Sequence, residues 1–348
     1  MARRVAPYTP GEQPKDQRYI KLNTNENPYP PSPNVLQAIR KVTDGNLRLY
    51  PDPDSSALKA ALAHNYGVAS ENLFVGNGSD EVLALAFMAF FAQERPILFP
   101  DITYSFYDVY CKLVGVDYQT IPLTELFELQ VSDYRRMNGG IIFPNPNAPT
   151  GHVVSLAEIE QLLQFNPDSV VVIDEAYIDF GGTTAVPLIH RYPNLLVAQT
   201  FSKSRSLAGL RVGYAIGHAD LIEGLERIKN SFNSYPLDRL AVPAAIAAVA
   251  DSTYFEAVCQ KIMATRAWVE SRLRDLGFEL VPSAANFIFI KHPRANAQKL
   301  YLTLKQQGVL VRYFDKPRIN NHLRITIGTD EEMTIFLARL VGCIEECV

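Results

Sequence analysis

The sequence predicts an α/β protein with a large domain, built on a mainly parallel sheet between helices, and a smaller α+β domain at the C-terminal end. Three observations carry this. A chain of 348 residues exceeds one ordinary compact core. From Asn34 onward, helical patterns alternate with short apolar runs, as in a sheet buried on both faces. After Tyr235-Pro236 the texture changes to long helical patterns with only two further strand-like runs. We divide the chain into an N-terminal arm (1–30), a large domain (31–245) and a small domain (246–348).

In order, the arm carries Pro7, Pro10, Pro14, Pro28 and Pro30, a density that forbids regular helix and favours extended backbone. The apolar runs that follow are Leu73 to Val75, Ile97 to Phe99, Ile141 to Phe143, Val170 to Ile173, Leu195 to Ala198 and Val212 to Ile216. Ala241 to Ala250 reads as an Ala-rich helix. Asp251 or Ser252 can cap the next, whose apolar positions Val258, Ile262, Val269 and Leu273 recur at helical spacing before Gly277 stops it. Phe287 to Ile290 and Leu323 to Ile327 read as strands of the small domain, closed by a helix from about Glu331.

Composition excludes several function classes. With 33 basic and 37 acidic residues the formal charge is -4, which supplies no overall field for nucleic acid or an anionic membrane. The longest apolar stretches fall short of the roughly 20 residues of a membrane helix. Met1-Ala2-Arg3-Arg4 is followed by prolines where a signal peptide needs its apolar segment, so a cytoplasmic protein is expected. Four scattered cysteines make no disulfide framework, and six dispersed histidines no metal site.

Four segments place polar groups at the ends of buried strands. Thr200 to Arg211 is a polar loop between two strands in which Lys203 has hydroxyl and arginine neighbours. Neighbouring cations and burial favour the neutral amine that Schiff-base chemistry requires. Asp174 ends an apolar strand, where ligands of open α/β sheets are met, with Tyr177 three residues on. A Walker-B reading of this strand lacks its phosphate loop. Gly76-Asn77-Gly78-Ser79-Asp80-Glu81 lies between a strand and a helix, and reads either as a phosphate cradle or as a tight turn with a cap. Asn145 to Gly151 is a proline-fixed loop that leaves the Asn147 amide free to donate.

In this order the segments resemble the fold-type I pyridoxal-phosphate aminotransferases. Asn23-Thr24-Asn25-Glu26-Asn27-Pro28, Arg48 to Pro51 and Leu323 to Thr329 are similar to the narrower family of histidinol-phosphate aminotransferases. The resemblance implies a seven-stranded large-domain sheet and pyridoxal 5'-phosphate as cofactor. It implies that Lys203 holds the cofactor as an imine and shuttles the substrate proton, that Asp174 pairs with the ring nitrogen, and that Tyr177 bonds the ring oxygen. Tyr104 would stack on the ring, and Gly78, Ser79, Asp80, Ser202 and Arg211 would form the phosphate site. Tyr50 would complete that site across a homodimer interface. Arg324 would take the carboxylate of glutamate and the phosphate of histidinol phosphate in turn, with Arg312, Tyr8 and Asn286 nearby and Glu26 on the imidazole. Where the family commonly has an asparagine before Pro-Thr-Gly, this chain has Ala148, with Asn147 as the nearest substitute.

The implied reaction interconverts histidinol phosphate plus 2-oxoglutarate and imidazole acetol phosphate plus glutamate, in histidine biosynthesis. Alternatives on the same fold are an aromatic amino-acid transaminase and a phospho-amino-acid decarboxylase. Outside the enzyme class stands a catalytically silent pyridoxal-binding or regulatory protein, and from another chemistry a nucleotide-binding enzyme, the latter opposed by the missing third glycine after Gly78.

Overall fold

The structure is a computed structural model and describes residues 7–347. The basic start of the expected arm and the segment read there as lacking a signal peptide lie largely outside them. Seven strands form the large sheet: β2 (Leu73–Asn77), β3 (Ile97–Pro100), β4 (Tyr118–Ile121), β5 (Ile141–Pro144), β6 (Val171–Asp174), β7 (Leu195–Thr200) and β8 (Val212–Gly217). Their order is β2-β8-β7-β6-β5-β3-β4, parallel throughout except for β8, which runs antiparallel to both neighbours.

Alternate residues supply two cores. Val171, Ile173, Leu195 and Val197 face one layer, and Val172, Leu196, Ala198 and Ala215 the other. That is why these strands read as unbroken apolar runs. The exception is β4, whose Tyr118, Gln119 and Thr120 are exposed at the sheet edge. No apolar run announced it.

Helices α1 (Pro33–Val42), α2 (Ser56–Tyr66), α3 (Gly78–Ala86), α4 (Tyr107–Val114), α5 (Leu156–Phe165), α6 (Ala219–Phe232) and α7 (Ala241–Ala250) accompany the sheet. Ser32 caps α1 by accepting from the Val35 amide, with Pro33 at its first position, and Ser155 with Glu158 forms a capping box on α5. The α7 helix packs against α1 and α2, and its buried Ala241, Ala244, Ala245 and Ala248 join the large core. The chain therefore leaves the large domain at about Asp251.

Asp251 caps α8 (Ser252–Asp275), its side chain accepting from the Tyr254 amide. With α9 (Ala297–Gln306) and α10 (Asp330–Cys347) this helix belongs to the small domain. That domain's antiparallel sheet, in order β12-β13-β10-β9, is built from β9 (Glu279–Val281), β10 (Phe287–Lys291), β12 (Arg312–Tyr313) and β13 (Leu323–Thr326). The arm crosses between the domains. Its β1 (Ile20–Lys21) pairs in parallel with β11 (Val309–Leu310), and Leu22 is buried in the small core. Among the described residues no single helix is long and apolar enough to cross a membrane.

Candidate active site

The carboxyl ends of β5, β6 and β7 open into a cavity of about 350 Å³ between the domains, with the arm along its side. Because β8 returns antiparallel beside β7, the loop from Phe201 to Arg211 starts and ends at this edge, and both Lys203 and Arg211 line the cavity. The Lys203 Nζ donates to the Thr24 carbonyl at 3.3 Å and lies 5.6 Å from the centre of the Tyr177 ring. Its loop is fixed from behind. The Asn27 amide donates to the carbonyls of Lys203 at 3.0 Å and Ser204 at 3.2 Å, while the Ser204 hydroxyl donates to Asp179.

Asp174 ends β6, buried to 5% exposure. Its carboxylate accepts from the Ala176 amide and the Tyr107 hydroxyl, both at 3.2 Å, and no ion pair reaches it among the described residues. Burial outweighs these bonds and lifts its pKa to about 6. The adjacent Glu175 is likewise pushed up by burial, to about 7, and accepts from Thr184, Ala185 and Gln199 on the side away from the cavity.

At the start of α3 the backbone is brought close to β8. A side chain on Gly213 would meet the Gly78 carbonyl carbon and Ser79 amide at 2.3 Å, and Gly78 has φ +79° with the Arg211 guanidinium where its Cβ would be. The first-turn amides, Ser79, Thr200, Ser202 and Arg211 thereby converge. Asp80 serves this cradle indirectly, accepting from Arg211 at 2.9 Å and from the Tyr104 hydroxyl at 3.0 Å.

The outer end is built by the arm and the small domain. Arg324 on β13 donates to the Asn23 carbonyl at 3.1 Å and lies over the rings of Phe287 and Phe314, while its Nε is buried without a partner. Burial holds its pKa below the usual guanidinium value. Arg312 and Tyr8 line the same space, Tyr8 stacked on Phe106 at 4.2 Å. Glu26 is exposed at the rim and paired with Lys21 at 2.7 Å. Burial of its carboxyl works upward, but the bonds from Lys21 and Thr24 outweigh it and hold the pKa low.

Three expected residues sit elsewhere. Asn147 is not free: its amide donates to the Ile102 carbonyl and the Thr150 hydroxyl, both at 3.0 Å, because the turn it belongs to folds back on itself. Asn286 is fully buried and donates to the Asn25 carbonyl at 3.1 Å, so it seats the arm instead of facing the cavity. Tyr50 is 78% exposed on the outer surface, stacked on Tyr235 at 4.7 Å. The sequence reading missed Thr24, Asn25, Tyr107, Thr200 and Gly213. Tyr107 and Gly213 sit inside apolar patterns that reveal nothing of a site.

The cavity's own atoms suit pyridoxal phosphate. A buried carboxylate with no ion-pair partner among the described residues matches a protonated ring nitrogen, the glycine-lined turn at α3 matches a phosphate, and the Lys203 amine lines the same cavity near Tyr177. The family model of aminotransferase class I and II matches residues 17–340, which places the protein in that class. A curated histidinol-phosphate aminotransferase of Pseudomonas fluorescens is 60% identical over 94% of this chain and 94% of its own, and one of Hydrogenovibrio crunogenus is 61% identical over 95% and 93%. The solved histidinol-phosphate aminotransferase of Sinorhizobium meliloti, in complex with pyridoxal 5'-phosphate, superposes with a TM-score of 0.87 at 26% identity, covering 95% of this chain and 92% of that one. The chain belongs to the histidinol-phosphate aminotransferase family.

Proposed function

We propose that the protein transfers the amino group between histidinol phosphate and 2-oxoglutarate, with pyridoxal phosphate in the cavity between its domains. The observation that carries this is Arg324. A guanidinium with a buried, unpartnered Nε in the same cavity as Lys203 and Asp174 needs an anion, and a planar fork binds a carboxylate or a phosphate equally well. Glutamate and histidinol phosphate each bring one.

Pyridoxal phosphate, when bound, supplies an electrophilic carbonyl and a sink for the charge that develops at the substrate carbon. The remaining work falls to side chains. The Lys203 amine would take the proton from the amino-bearing carbon of the substrate and deliver it to the cofactor's carbonyl carbon, on the far side of the transferred nitrogen. Asp174 keeps the ring nitrogen protonated, and the Tyr177 hydroxyl donates to the ring oxygen. The first-turn amides of α3, Ser79, Ser202 and Arg211 hold the phosphate, with Gly78 giving the room and Asp80 aligning Arg211. Tyr104 offers a ring face. Arg324, with Arg312 and Tyr8 beside it, fixes the distal anion, and Glu26 at the rim accepts from the imidazole.

The active form in this reading is a homodimer in the cytoplasm, in which Tyr50 of one protomer reaches the phosphate site of the other. Supporting it, Leu47, Leu49 and Tyr50 are exposed together on one surface, which is where a partner would cover them. The test is substrate choice. Initial rates with 2-oxoglutarate should be highest for histidinol phosphate and poor for histidinol lacking the phosphate. Equal turnover of phenylalanine, or carbon dioxide release from O-phosphothreonine, overturns the assignment.

A further inference from the structure

The cofactor's ring oxygen has few donors available in this cavity. Ala148 lines the wall beside Tyr177 and offers only a methyl group, and the neighbouring Asn147 has spent both amide hydrogens on Ile102 and Thr150. Tyr177 is left, and a phenol has one proton. A freely rotating hydroxyl would spend part of its time donating elsewhere.

Asn25 removes that freedom. This arm residue is buried, with φ +56°, a conformation that asparagine tolerates better than most side chains. The Thr326 hydroxyl accepts from the Asn25 backbone amide and donates to its Oδ1, both at 3.0 Å. With its oxygen pinned to β13, the Asn25 side-chain amide points its Nδ2 at the Tyr177 hydroxyl, 3.0 Å away. The Tyr177 oxygen thus accepts from Asn25, and its own proton is left to the cavity side, where no acceptor among the described residues takes it. An oxygen that accepts a hydrogen bond is also a stronger donor.

We propose that Asn25 is a positioning residue that aims the Tyr177 proton at the cofactor's ring oxygen, and so stands in for the second donor that Ala148 does not provide. The inference rests on the reading of Tyr177 given above. It ties the seating of the arm to the electronics of the cofactor, since the Thr326 that orients Asn25 lies two residues beyond Arg324 on the same strand.

The test uses the holoenzyme and reads the visible absorbance of the lysine-bound cofactor against pH. A donor to the ring oxygen lowers the pH at which the neighbouring imine loses its proton, so removing one raises it. Asn25→Gly, which keeps the positive φ without strain, should raise this midpoint by about 0.5 to 1 unit, the equivalent of one hydrogen bond. Tyr177→Phe should raise it at least as far. In the double variant, Asn25→Gly should add nothing, because its effect passes through the phenol. A midpoint unmoved in Tyr177→Phe means that the reading of Tyr177 itself fails. A midpoint moved in Tyr177→Phe but not in Asn25→Gly, or an equal further rise in the double variant, overturns the role of Asn25. Thr326→Val, which frees the Asn25 amide to turn while leaving the arm's chain intact, should give a smaller rise in the same direction; no rise there, with Asn25→Gly shifted, overturns the pinning by Thr326.

Discussion

At the inner end of the cavity, Asp174, Thr200, Lys203 and Arg211 stand on two strand ends and one loop of a single sheet, whereas at the outer end Tyr8, Glu26, Arg312 and Arg324 arrive from the arm and the small domain. The inner groups are held by bonds within the large domain and by the arm residues Thr24 and Asn27, and one of them is a carboxylate whose burial costs stability. The outer groups include a guanidinium atom without a partner and an acid at the solvent edge. Chemistry that is the same for every substrate is set on the large sheet, and recognition that must serve two substrates is set on the arm and the small domain.

The largest effect belongs to the inner end. Lys203→Ala should lower turnover by about 10⁴-fold or more, and borohydride reduction of the native holoenzyme should label Lys203 alone in a peptide map. A label on another lysine breaks the comparison at its root.

Asp174→Asn should lower kcat by about 10² to 10³-fold while much cofactor binding remains. It should also act on the cofactor-free protein in the opposite sense. The folded pKa of about 6 lies above the ordinary 3.8, so ionised Asp174 destabilises the fold at neutral pH and the penalty is relieved as pH falls through about 6 toward 4. The variant should therefore melt higher than the native protein at pH 8, with the difference shrinking by pH 5. Equal melting at pH 8 removes the claim that this carboxylate waits for a cation.

For the outer end, Arg324→Lys should cost roughly 2 to 4 kcal/mol in kcat/KM in both half-reactions, because a compact ammonium cannot replace the paired bonds of the guanidinium. A loss confined to glutamate would move the phosphate to Arg312. Tyr50→Phe alone should weaken cofactor binding about 10-fold, and at limiting cofactor its mixture with the inactive Lys203→Ala should be more active than Tyr50→Phe alone, through hybrids that carry one complete site. A fully active monomer contradicts the shared site. The smallest change is expected for Glu26→Gln, about 3 to 5-fold in kcat/KM for histidinol phosphate and none for glutamate, since an exposed bond at the rim contributes little.

The same contrast decides what the sequence reveals. The buried strands β5 to β8 are continuous apolar runs, and Asp174 and Lys203 follow them directly, so the inner end and the fold class are legible in a linear reading. Strand β4 is not, because its exposed edge carries polar residues. Asn147 misled because a side-chain amide in a turn has nearby backbone carbonyls and hydroxyls to satisfy, which composition does not disclose. Asn25 was missed for the opposite reason. Its partners, Tyr177 and Thr326, are far off in the chain, and an asparagine in a proline-rich arm shows only that a left-handed residue is tolerated there.

The pairing of β1 with β11 bears on the order in which the molecule is made. Strand β1 finds its neighbour only after the whole large domain that lies between them in the sequence has been synthesised, and Asn25 and Asn27 cannot dock until the strands and loop they bind have folded. The large sheet can form co-translationally with the arm still loose. Completion of the site is then a late event in the protein's biogenesis, and a bulky fusion placed ahead of the arm would delay or block it while leaving the bulk of the polypeptide folded.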